Sequence, residues 1–215
     1  MRKTKLDDGF HSYLVKDADL VGDAGIPRMI DLHNTSTPKS LIPFEKCKYT
    51  KNYHQYIHFY MHDKFFAKIL TDAEKYVALF QLFDGIITPD FSMLRKQSKC
   101  LQETNTYFNR AVGVFFQKHG IPVIPNIRWS DESSFEYCFL GVPKHIPVAV
   151  STHGCIRSKA DKDIFKLGLS KMLDVLEPSE VIVHGFMPDY IFGEFLERIP
   201  FHRYPSLFEA KHEGR

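Results

Sequence analysis

Five apolar, β-branched runs between Tyr56 and Phe186 each end in polar residues, and helix-like sequence follows each of them. Short apolar runs of this kind are typical of buried parallel strands joined by crossover helices. The runs and the polar residues after them are 56–61 then 62–63, 85–88 then 89–90, 122–126 then 127–129, 148–150 then 151–154, and 180–183 then 184–185. The pattern predicts an α/β fold of about five parallel strands alternating with helices.

The intervening sequence predicts where the helices begin and end. Apolar residues at helical spacing favour helices over 64–82 with a break near Asp72, and over 100–119, 133–140, 161–176 and 187–199. Asp63 is the predicted N-cap of the first helix, because a short carboxylate can accept the unpaired N–H groups there. Gly120 and Pro178 are typical of positions where a helix has just ended.

The chain divides into an arm, a core and a tail. Residues 1–52 carry scattered prolines and predict an irregular N-terminal arm packed on the core, 53–200 predict a single α/β domain, and 201–215 predict a polar tail. Right-handed crossovers would place all strand ends at one edge. Five units are too few for a complete eight-stranded barrel. The alternatives are an open Rossmann-like sheet, which we favour, and an incomplete TIM-like barrel whose missing wall is supplied by the arm.

Composition excludes several classes of protein. The 215 residues are 44% hydrophobic and 25% charged, which is ordinary for a globular domain. A formal net charge of +2 gives no global reason to expect a polyanion partner, although a local basic patch stays open. The four cysteines lie far apart without a C-x-x-C pair, which predicts reduced thiols. The charged N-terminus has no apolar signal core, and no run approaches the roughly 20 apolar residues of a membrane span, so we expect a cytoplasmic protein and no membrane.

The strand ends carry the candidate chemistry, because ligands of parallel α/β proteins bind there. Asp90 could act as a general base or nucleophile, or could instead fix its own turn. Arg128 offers a planar fork for phosphate or carboxylate, beside the amide of Asn126. Trp129 offers a stacking face for a base or sugar, and Asp131 could orient Arg128. The competing interpretation is a structural Arg–Asp pair beside the single tryptophan.

A hydroxyl, an imidazole and a thiol lie within five residues after the fourth run. Ser151 and His153 are the candidate ligand-binding residues there, with Cys155 nearby. No nucleophile elbow or catalytic-cysteine signature surrounds them, so the segment does not predict a nucleophile on its own. His184 repeats a His-Gly step one strand later and receives less weight. Whether the two steps share a pocket depends on the strand order.

Arg110 stands among apolar residues on the side of its helix that should be buried. A buried arginine needs a partner, and Glu103 or Asp90 could form an ion pair with it. In the functional interpretation Arg110 reaches the pocket at the strand ends. In the structural interpretation it forms an internal ion pair.

Histidines and basic residues suggest further sites. His54, His58 and His62 would align on a helix, but the alternation around them predicts a strand, on which His58 and His62 lie about 13 Å apart, too far to share one ion. We therefore predict no metal site. Six basic residues in two segments could form a rim for a nucleic-acid backbone or only a solvated face. They are Arg95, Lys96, Lys99, Arg157, Lys159 and Lys162.

The motifs at 83–92, 105–110, 123–131 and 150–155, with an earlier region at 58–63, occur in an order that resembles an uncharacterised family, domain of unknown function 4417. The resemblance spans roughly residues 42–192. It implies a phage or prophage protein, or one from another bacterial mobile element, working in the host cytoplasm. It implies no established activity and no agreed catalytic residues.

Two functions from different classes follow. In the first, the protein binds or acts on a nucleotide or nucleic acid, with Asp90 as base or nucleophile, Arg110 and Arg128 holding phosphate or carboxylate, and Asn126 with Trp129 gripping a base or sugar. In the second, a non-catalytic binding protein sequesters a host factor or a small signalling nucleotide. We favour the first. The sequence assigns no cofactor, and it does not fix the oligomeric state.

Overall fold

The computed structural model of the chain describes residues 10–30, 35–206 and 209. The charged start of the arm (1–9), positions 31–34 and the end of the polar tail (207–208 and 210–215) lie outside the described residues. The strands are β1 Leu20–Val21, β2 Ile26–Pro27, β3 Leu41–Pro43, β4 Tyr56–His58, β5 Gly85–Ile87, β6 Val123–Ile124, β7 Val148–Ser151, β8 Val181–His184 and β9 Phe201–Tyr204. The α-helices are α1 Ile69–Asp72, α2 Val77–Phe80, α3 Lys99–Lys118, α4 Lys159–Leu176 and α5 Asp189–Phe192.

The α/β class predicted from the sequence is confirmed, since each of the five apolar runs contains a parallel strand, β4 to β8. Two further parallel strands lie outside the range predicted for the core. β3 pairs with β4 from within the arm, and β9 pairs with β8 from within the predicted tail. A separate antiparallel pair, β1 with β2, lies near the start of the described chain. The strands are short, and β3 and β9 each combine apolar residues with proline or polar residues.

The strands form a four-stranded parallel sheet, β3-β4-β5-β6, and a three-stranded parallel sheet, β7-β8-β9. One isolated parallel bridge, between Asn126 and Ala149, connects the end of the first sheet to the start of the second. Within each sheet the order of neighbours follows the order in the chain. The open Rossmann-like sheet is not confirmed, because that fold reverses its strand order at a switch point and the described strands show no such reversal.

A small apolar cluster collects residues from both sheets. It contains Tyr56 and Tyr60 from the β4 segment, Ile87 from β5, Ile124 from β6, Ala149 from β7 and Ile182 from β8, with Leu41 and Tyr204 at its margin. Tyr204 also donates from Oη to the carbonyl of Pro38, just before β3. The first and last parallel strands are therefore linked through the segment that leads into the first.

Two larger apolar clusters fill the space between the strands and the helices. One lies against β4, β5 and α3 and is rich in aromatic rings, including Phe59, Phe80 and Phe116. The other packs alternate residues of β7 and β8 against α4, where Leu169 and Met172 are fully buried. Alternate strand residues thus face helices, while the residues between them face the small cluster.

The two long helices have clear end signals. α4 begins with a reciprocal capping box, in which Ser158 and Asp161 each accept from the other's backbone N–H. α3 ends where Gly120 adopts φ +74°, a conformation that favours glycine. The predicted helices at 100–119 and 161–176 match α3 and α4 closely. No described helix is long and apolar enough to cross a membrane.

The remaining predicted helices are shorter than expected. The stretch 64–82 contains only α1, α2 and two 3₁₀ turns, 133–140 corresponds to a 3₁₀ helix at Glu132–Glu136, and 187–199 holds α5 with one 3₁₀ turn. The prediction that Asp63 is the N-cap of a helix is wrong. His62 occupies that position, and the Asp63 carboxylate instead accepts from the N–H and Oγ of Ser92 at 3.0 and 2.8 Å. Asp63 therefore fixes the loop that follows β5.

Candidate functional site

The loop after β5 carries Asp90, and two buried side chains fix its course. The N–H of Asn126, just after β6, donates to Thr88 Oγ1 at 2.7 Å. Asn109 of α3 donates from Nδ2 to the carbonyls of Pro89 and Asn126, at 2.7 and 3.1 Å. These bonds tie the ends of β5 and β6 to one helix, so the loops that follow the two strands start side by side.

Asp90 lies at the centre of a group formed by these two strand ends. Its Oδ1 accepts from Asn126 Nδ2 at 2.8 Å, and its Oδ2 accepts from Arg128 Nη1 at 3.1 Å. The side chains of Asp90 and Arg128 are 13% and 22% exposed, so water screens their charges less than at the surface. Burial disfavours the charged guanidinium, but the Asp90 carboxylate and the other acidic groups nearby together outweigh burial and raise the pKa of Arg128. Three predicted site residues are thus in direct contact.

The phenol of Tyr60 reaches the same group from beyond β4. Tyr60 Oη donates to Asn126 Oδ1 at 3.0 Å, on the opposite side of the amide from Asp90. Burial raises the pKa of Tyr60 well above its usual range, and the nearby Asp90 carboxylate raises it further. The phenol therefore stays neutral at physiological pH. It keeps its proton for Asn126 and so orients the amide nitrogen toward Asp90.

Arg128 also contacts the thiol of Cys155, which lies in the loop after β7. Its Nη1 is 3.0 Å from Cys155 Sγ. Burial raises the pKa of Cys155, although the guanidinium of Arg128 partly opposes this. The sulfur is therefore a thiol at neutral pH, and it can donate to the carbonyl of His153 at 3.3 Å. The contact bridges the second and first sheets at their carboxyl ends.

A stack of three rings lies beside this group. The centroid of the Tyr60 ring is 4.4 Å from that of the His184 imidazole, and the centroid of the His58 ring is 4.9 Å from the His184 centroid. Burial, together with the nearby His153, lowers the pKa of His184 to about 4. Burial and the proximity of His184 lower the pKa of His58 well below its usual value. Both imidazoles are therefore neutral at pH 7.

Ser151 and His184 end neighbouring strands as direct register partners. Ser151 Oγ lies 3.1 Å from His184 Nδ1 and 3.2 Å from the His184 carbonyl. It also accepts from the N–H of His153 at 3.2 Å. The hydroxyl is buried, and its partners hold it in one orientation. Ser151 and His153 are thus close together, as their sequence spacing requires, but the imidazole that contacts the Ser151 hydroxyl is that of His184.

A cleft of about 210 Å³ opens between the loops after β5, β6 and β7. Arg128, Trp129 and Ser151 line it, together with Cys155. Arg95 and Asp161 form an ion pair at the same cleft. Ligand pockets are commonly about 300–1,000 Å³. The cleft therefore accommodates a phosphate or a sugar-sized fragment, with any larger remainder of a ligand outside it.

Arg110 belongs to the interior and does not line this cleft. Its guanidinium donates to the carbonyls of Leu140, Cys138 and Asn126, at 3.0, 2.6 and 3.2 Å, and to the side chain of Asn109. Among the described residues it forms no ion pair, so the predicted pairing with Glu103 or Asp90 is wrong. Main-chain carbonyls can satisfy the donors of a buried guanidinium, because each carbonyl oxygen has two lone pairs.

Trp129 and Asp131 have structural partners. The Trp129 ring packs on Phe165 with centroids 5.0 Å apart and lies directly over Gly168, where an added Cβ would be 2.2 Å from Nε1. The indole is 7% exposed, so little of its face is left for stacking a base. Asp131 accepts from the N–H and Oγ of Ser133 as the N-cap of a 3₁₀ helix. The residue that orients Arg128 is therefore Asp90, not Asp131.

Much of the predicted basic rim is exposed, and part of it is neutralised by acidic neighbours. Arg95 pairs with Asp161, and Lys99 pairs with Glu136 at 2.7 Å. Two of the six predicted rim residues are therefore paired with acidic side chains.

Within the part of the chain that the structure describes, no group of three or more His, Cys, Asp or Glu side chains is arranged to hold a metal ion.

Sequence reasoning missed Tyr60, His58, Thr88 and Asn109, and it gave His184 too little weight as a partner of Ser151. The signal for Tyr60 and His58 was present in the sequence. Tyr56, His58 and Tyr60 occupy every second position, so they share one face of an extended strand. The pairing of His184 with Ser151 requires the order of β7 and β8, which periodicity does not give.

Comparison with known proteins places the chain beside phage sequences. The family described as "Domain of unknown function (DUF4417)" matches residues 18–204. The "Gene 1 protein" of Mycobacterium phage D29 is 32% identical over 129 residues, covering 60% of this chain and 48% of the relative. The "Gene 1 protein" of Mycobacterium phage L5 is also 32% identical over 129 residues, covering 60% of this chain and 56% of the relative.

The chain thus spans about half the length of the curated relatives it matches. No solved structure matches it significantly.

Proposed function

The chain belongs to the family described as Domain of unknown function (DUF4417), and on that premise we propose that this phage-type protein binds or acts on a nucleotide or nucleic acid at the carboxyl ends of its parallel strands. The observation that carries the proposal is the state of Arg128. Its Nη1 is held by Asp90 and Cys155, and its Nε and Nη2 have no partner among the described residues. These two donors and the cleft that Arg128 lines suit one phosphate group.

The position of the cleft supports this function. Parallel neighbours in chain order place successive crossovers on one face, which curves a sheet toward a barrel. The cluster of Tyr56, Ile87, Ile124 and Ile182, and the bond from Tyr204 to Pro38, support an incomplete barrel rather than a flat sheet. In barrel proteins the carboxyl ends of the strands surround the ligand site. The Asp90 group and the cleft lie at these ends.

In this proposal Asp90 keeps Arg128 charged and oriented. A role of Asp90 as base or nucleophile requires a ligand to displace one of its two bonds, because both carboxylate oxygens have internal donors. Asn126 positions Asp90, while Ser151 lines the cleft from the end of β7. His153 contributes through Ser151, since its N–H donates to Ser151 Oγ. Trp129 provides one apolar wall and not a free stacking surface.

The engagement of both Asp90 oxygens also favours the second candidate function, a non-catalytic protein that sequesters a small signalling nucleotide or a host factor. A recognition site needs a fixed guanidinium and a shaped cleft, but it needs no free base. The two functions differ in turnover and not in the location of the ligand.

The test is a thermal-shift and calorimetric screen of the purified chain with nucleoside mono- and triphosphates and with short DNA and RNA oligomers. We expect a stabilising ligand whose affinity falls at least tenfold in Arg128→Ala. Arg198→Ala is the matched control, since Arg198 also pairs with an aspartate, Asp174, but on the surface. Equal affinity in the wild type and Arg128→Ala would reject this site.

Asp90→Asn then separates the two functions. If Asp90 is a base or nucleophile, this variant loses turnover of the identified ligand and keeps most of its affinity. If Asp90 only holds Arg128, the variant loses affinity. Asp174→Asn controls for the charge change.

A further inference from the structure

The buried hydroxyl of Ser151 contacts the neutral imidazole of His184 at the cleft, and the function proposed above uses neither of them as a reacting group. Ser151 Oγ lies 3.1 Å from His184 Nδ1, within hydrogen-bond reach, and Ser151 lines the cleft with Arg128. A serine beside a neutral imidazole is the arrangement that activates a hydroxyl as a nucleophile. The contact comes from the register of β7 and β8 and not from a flexible loop.

His184 is held in the orientation that this chemistry requires. Tyr60 stacks on its ring at 4.4 Å with planes 17° apart, and His58 contacts it at 4.9 Å. These contacts fix the plane in which the imidazole lies, and in that plane Nδ1 is within reach of Ser151 Oγ. The base in a catalytic pair is normally oriented by a third group, and here the flanking rings hold the plane of the base.

The other serine of the cleft lacks this partner. Ser130 Oγ donates to Gln102 Oε1 at 2.5 Å, and an amide oxygen does not accept a proton at neutral pH. Ser92 donates to the carboxylate of Asp63 and lies outside the cleft. Among these three serines, only Ser151 combines a neutral nitrogen base with access to the cleft.

We propose that Ser151 is a nucleophile and His184 its general base for cleaving a phosphoester of a nucleotide, with Arg128 binding the phosphoryl oxygens. This inference rests on the proposed function for the identity of the substrate. Ser151 Oγ forms a bond to phosphorus, the bond from phosphorus to the ester oxygen breaks, and the Oγ proton passes through His184 Nδ1 to the departing oxygen. Water then attacks phosphorus and breaks its bond to Ser151 Oγ, which restores Ser151 and releases phosphate from a monoester or a phosphate monoester from a diester.

The test uses a fluorophosphonate probe, which reacts covalently with activated serines and releases fluoride. Peptide mapping of the labelled wild type should place the adduct on Ser151 and not on Ser130. We expect Ser151→Ala to abolish this labelling and Ser92→Ala to label as the wild type does. His184→Phe retains a ring in the stack and removes the nitrogen, and it should slow labelling about 100-fold or more.

The pH profile separates a base from a structural contact. If His184 is the base, the labelling rate is constant from pH 6 to 8, where the imidazole is neutral, and falls as the pH approaches 4, where the imidazole becomes protonated. The residual labelling of His184→Phe should not show this fall. Circular dichroism of each variant confirms folding. The inference is overturned if the folded wild type is not labelled at Ser151, or if folded His184→Phe is labelled as fast as the wild type.

Hydrolysis of bis(4-nitrophenyl) phosphate is the second measurement, and the same variants should fall in the same order. Nucleotide binding without labelling of Ser151 would overturn this inference and leave the proposed function standing. Labelling of Ser151 with hydrolysis of the probe diester, but without any nucleotide bound, would support the Ser151–His184 pair and reject the nucleotide as its ligand.

Discussion

The phenol ring of Tyr60 stacks on the imidazole of His184, with ring centroids 4.4 Å apart and planes 17° apart. Tyr60 follows a strand of the four-stranded sheet, and His184 ends a strand of the three-stranded sheet. Among the described residues one backbone bridge joins the two sheets, so this side-chain contact is part of what holds them together. The groups that surround Asp90 therefore depend on contacts between the sheets.

Tyr60→Phe should destabilise the protein by about 1–3 kcal/mol. The ring and its stacking are kept, but the buried oxygen of Asn126 loses its donor. Urea denaturation gives the free energy of unfolding. Tyr190→Phe removes an exposed hydrogen bond to Asp163 and should change stability by less than about 0.5 kcal/mol. An equal, small effect in both variants would contradict a structural role for the Tyr60 hydroxyl.

Arg110→Ala should cost about 3–5 kcal/mol, because it leaves the carbonyls of Leu140 and Cys138 without their donor and opens a cavity in the interior. Arg110→Lys should recover little of this, since one ammonium cannot replace a planar fork that donates in three directions. The measurement is again chemical denaturation. Arg198→Ala at the surface is the control. Full recovery of stability by lysine would show that charge alone is needed at this position.

Stability should fall as the pH decreases from about 6.5 to 4. The pKa of His184 is about 4 in the folded protein and near 6.5 in the unfolded chain, so over this range the unfolded chain binds more protons. His184 contributes at most about 3 kcal/mol to the loss. The free energy of unfolding is measured at pH 7, 6, 5 and 4.5. His184→Phe should lose less stability over this range than the wild type, and parallel curves would refute the assignment.

Gly168→Ala should destabilise the protein by about 1–3 kcal/mol, although alanine is the better helix former by about 1 kcal/mol. The added methyl would lie 2.2 Å from Trp129 Nε1, so the indole must move. Tryptophan fluorescence and thermal melting report the two effects together, since the chain contains a single tryptophan. Ser170→Ala on the same helix is the control. A more stable Gly168→Ala with unchanged fluorescence would rule out this packing.

The sequence alone predicted that Asp90, Asn126 and Arg128 lie at one edge of the sheet, because each lies at the end of an apolar run and the carboxyl ends of parallel strands share an edge. It did not predict their direct contact, since Asp131 was expected to orient Arg128. The same argument places Ser151 and His184 at strand ends. It does not pair them, because periodicity states which residues end a strand and not which strands are neighbours.

Two other features could not be predicted for physical reasons. Burial of Arg110 followed from its apolar neighbours, but its partners are main-chain carbonyls of residues 126, 138 and 140, and any residue type provides a carbonyl. β3 and β9 are three and four residues long, too short for an alternating pattern to stand out. These two strands form only by pairing with β4 and β8, so they cannot be predicted without the rest of each sheet.

The order of the strands sets how the protein can assemble during synthesis. After the first strand of each sheet, every strand pairs with the strand made just before it, so the sheets can grow in the direction in which a ribosome releases the chain. The bond from Tyr204 to Pro38 spans 166 residues and cannot form until β9 has emerged. Completion of the fold therefore waits for the last strand, and a translation pause before residue 201 would leave the edge of β8 exposed to other chains.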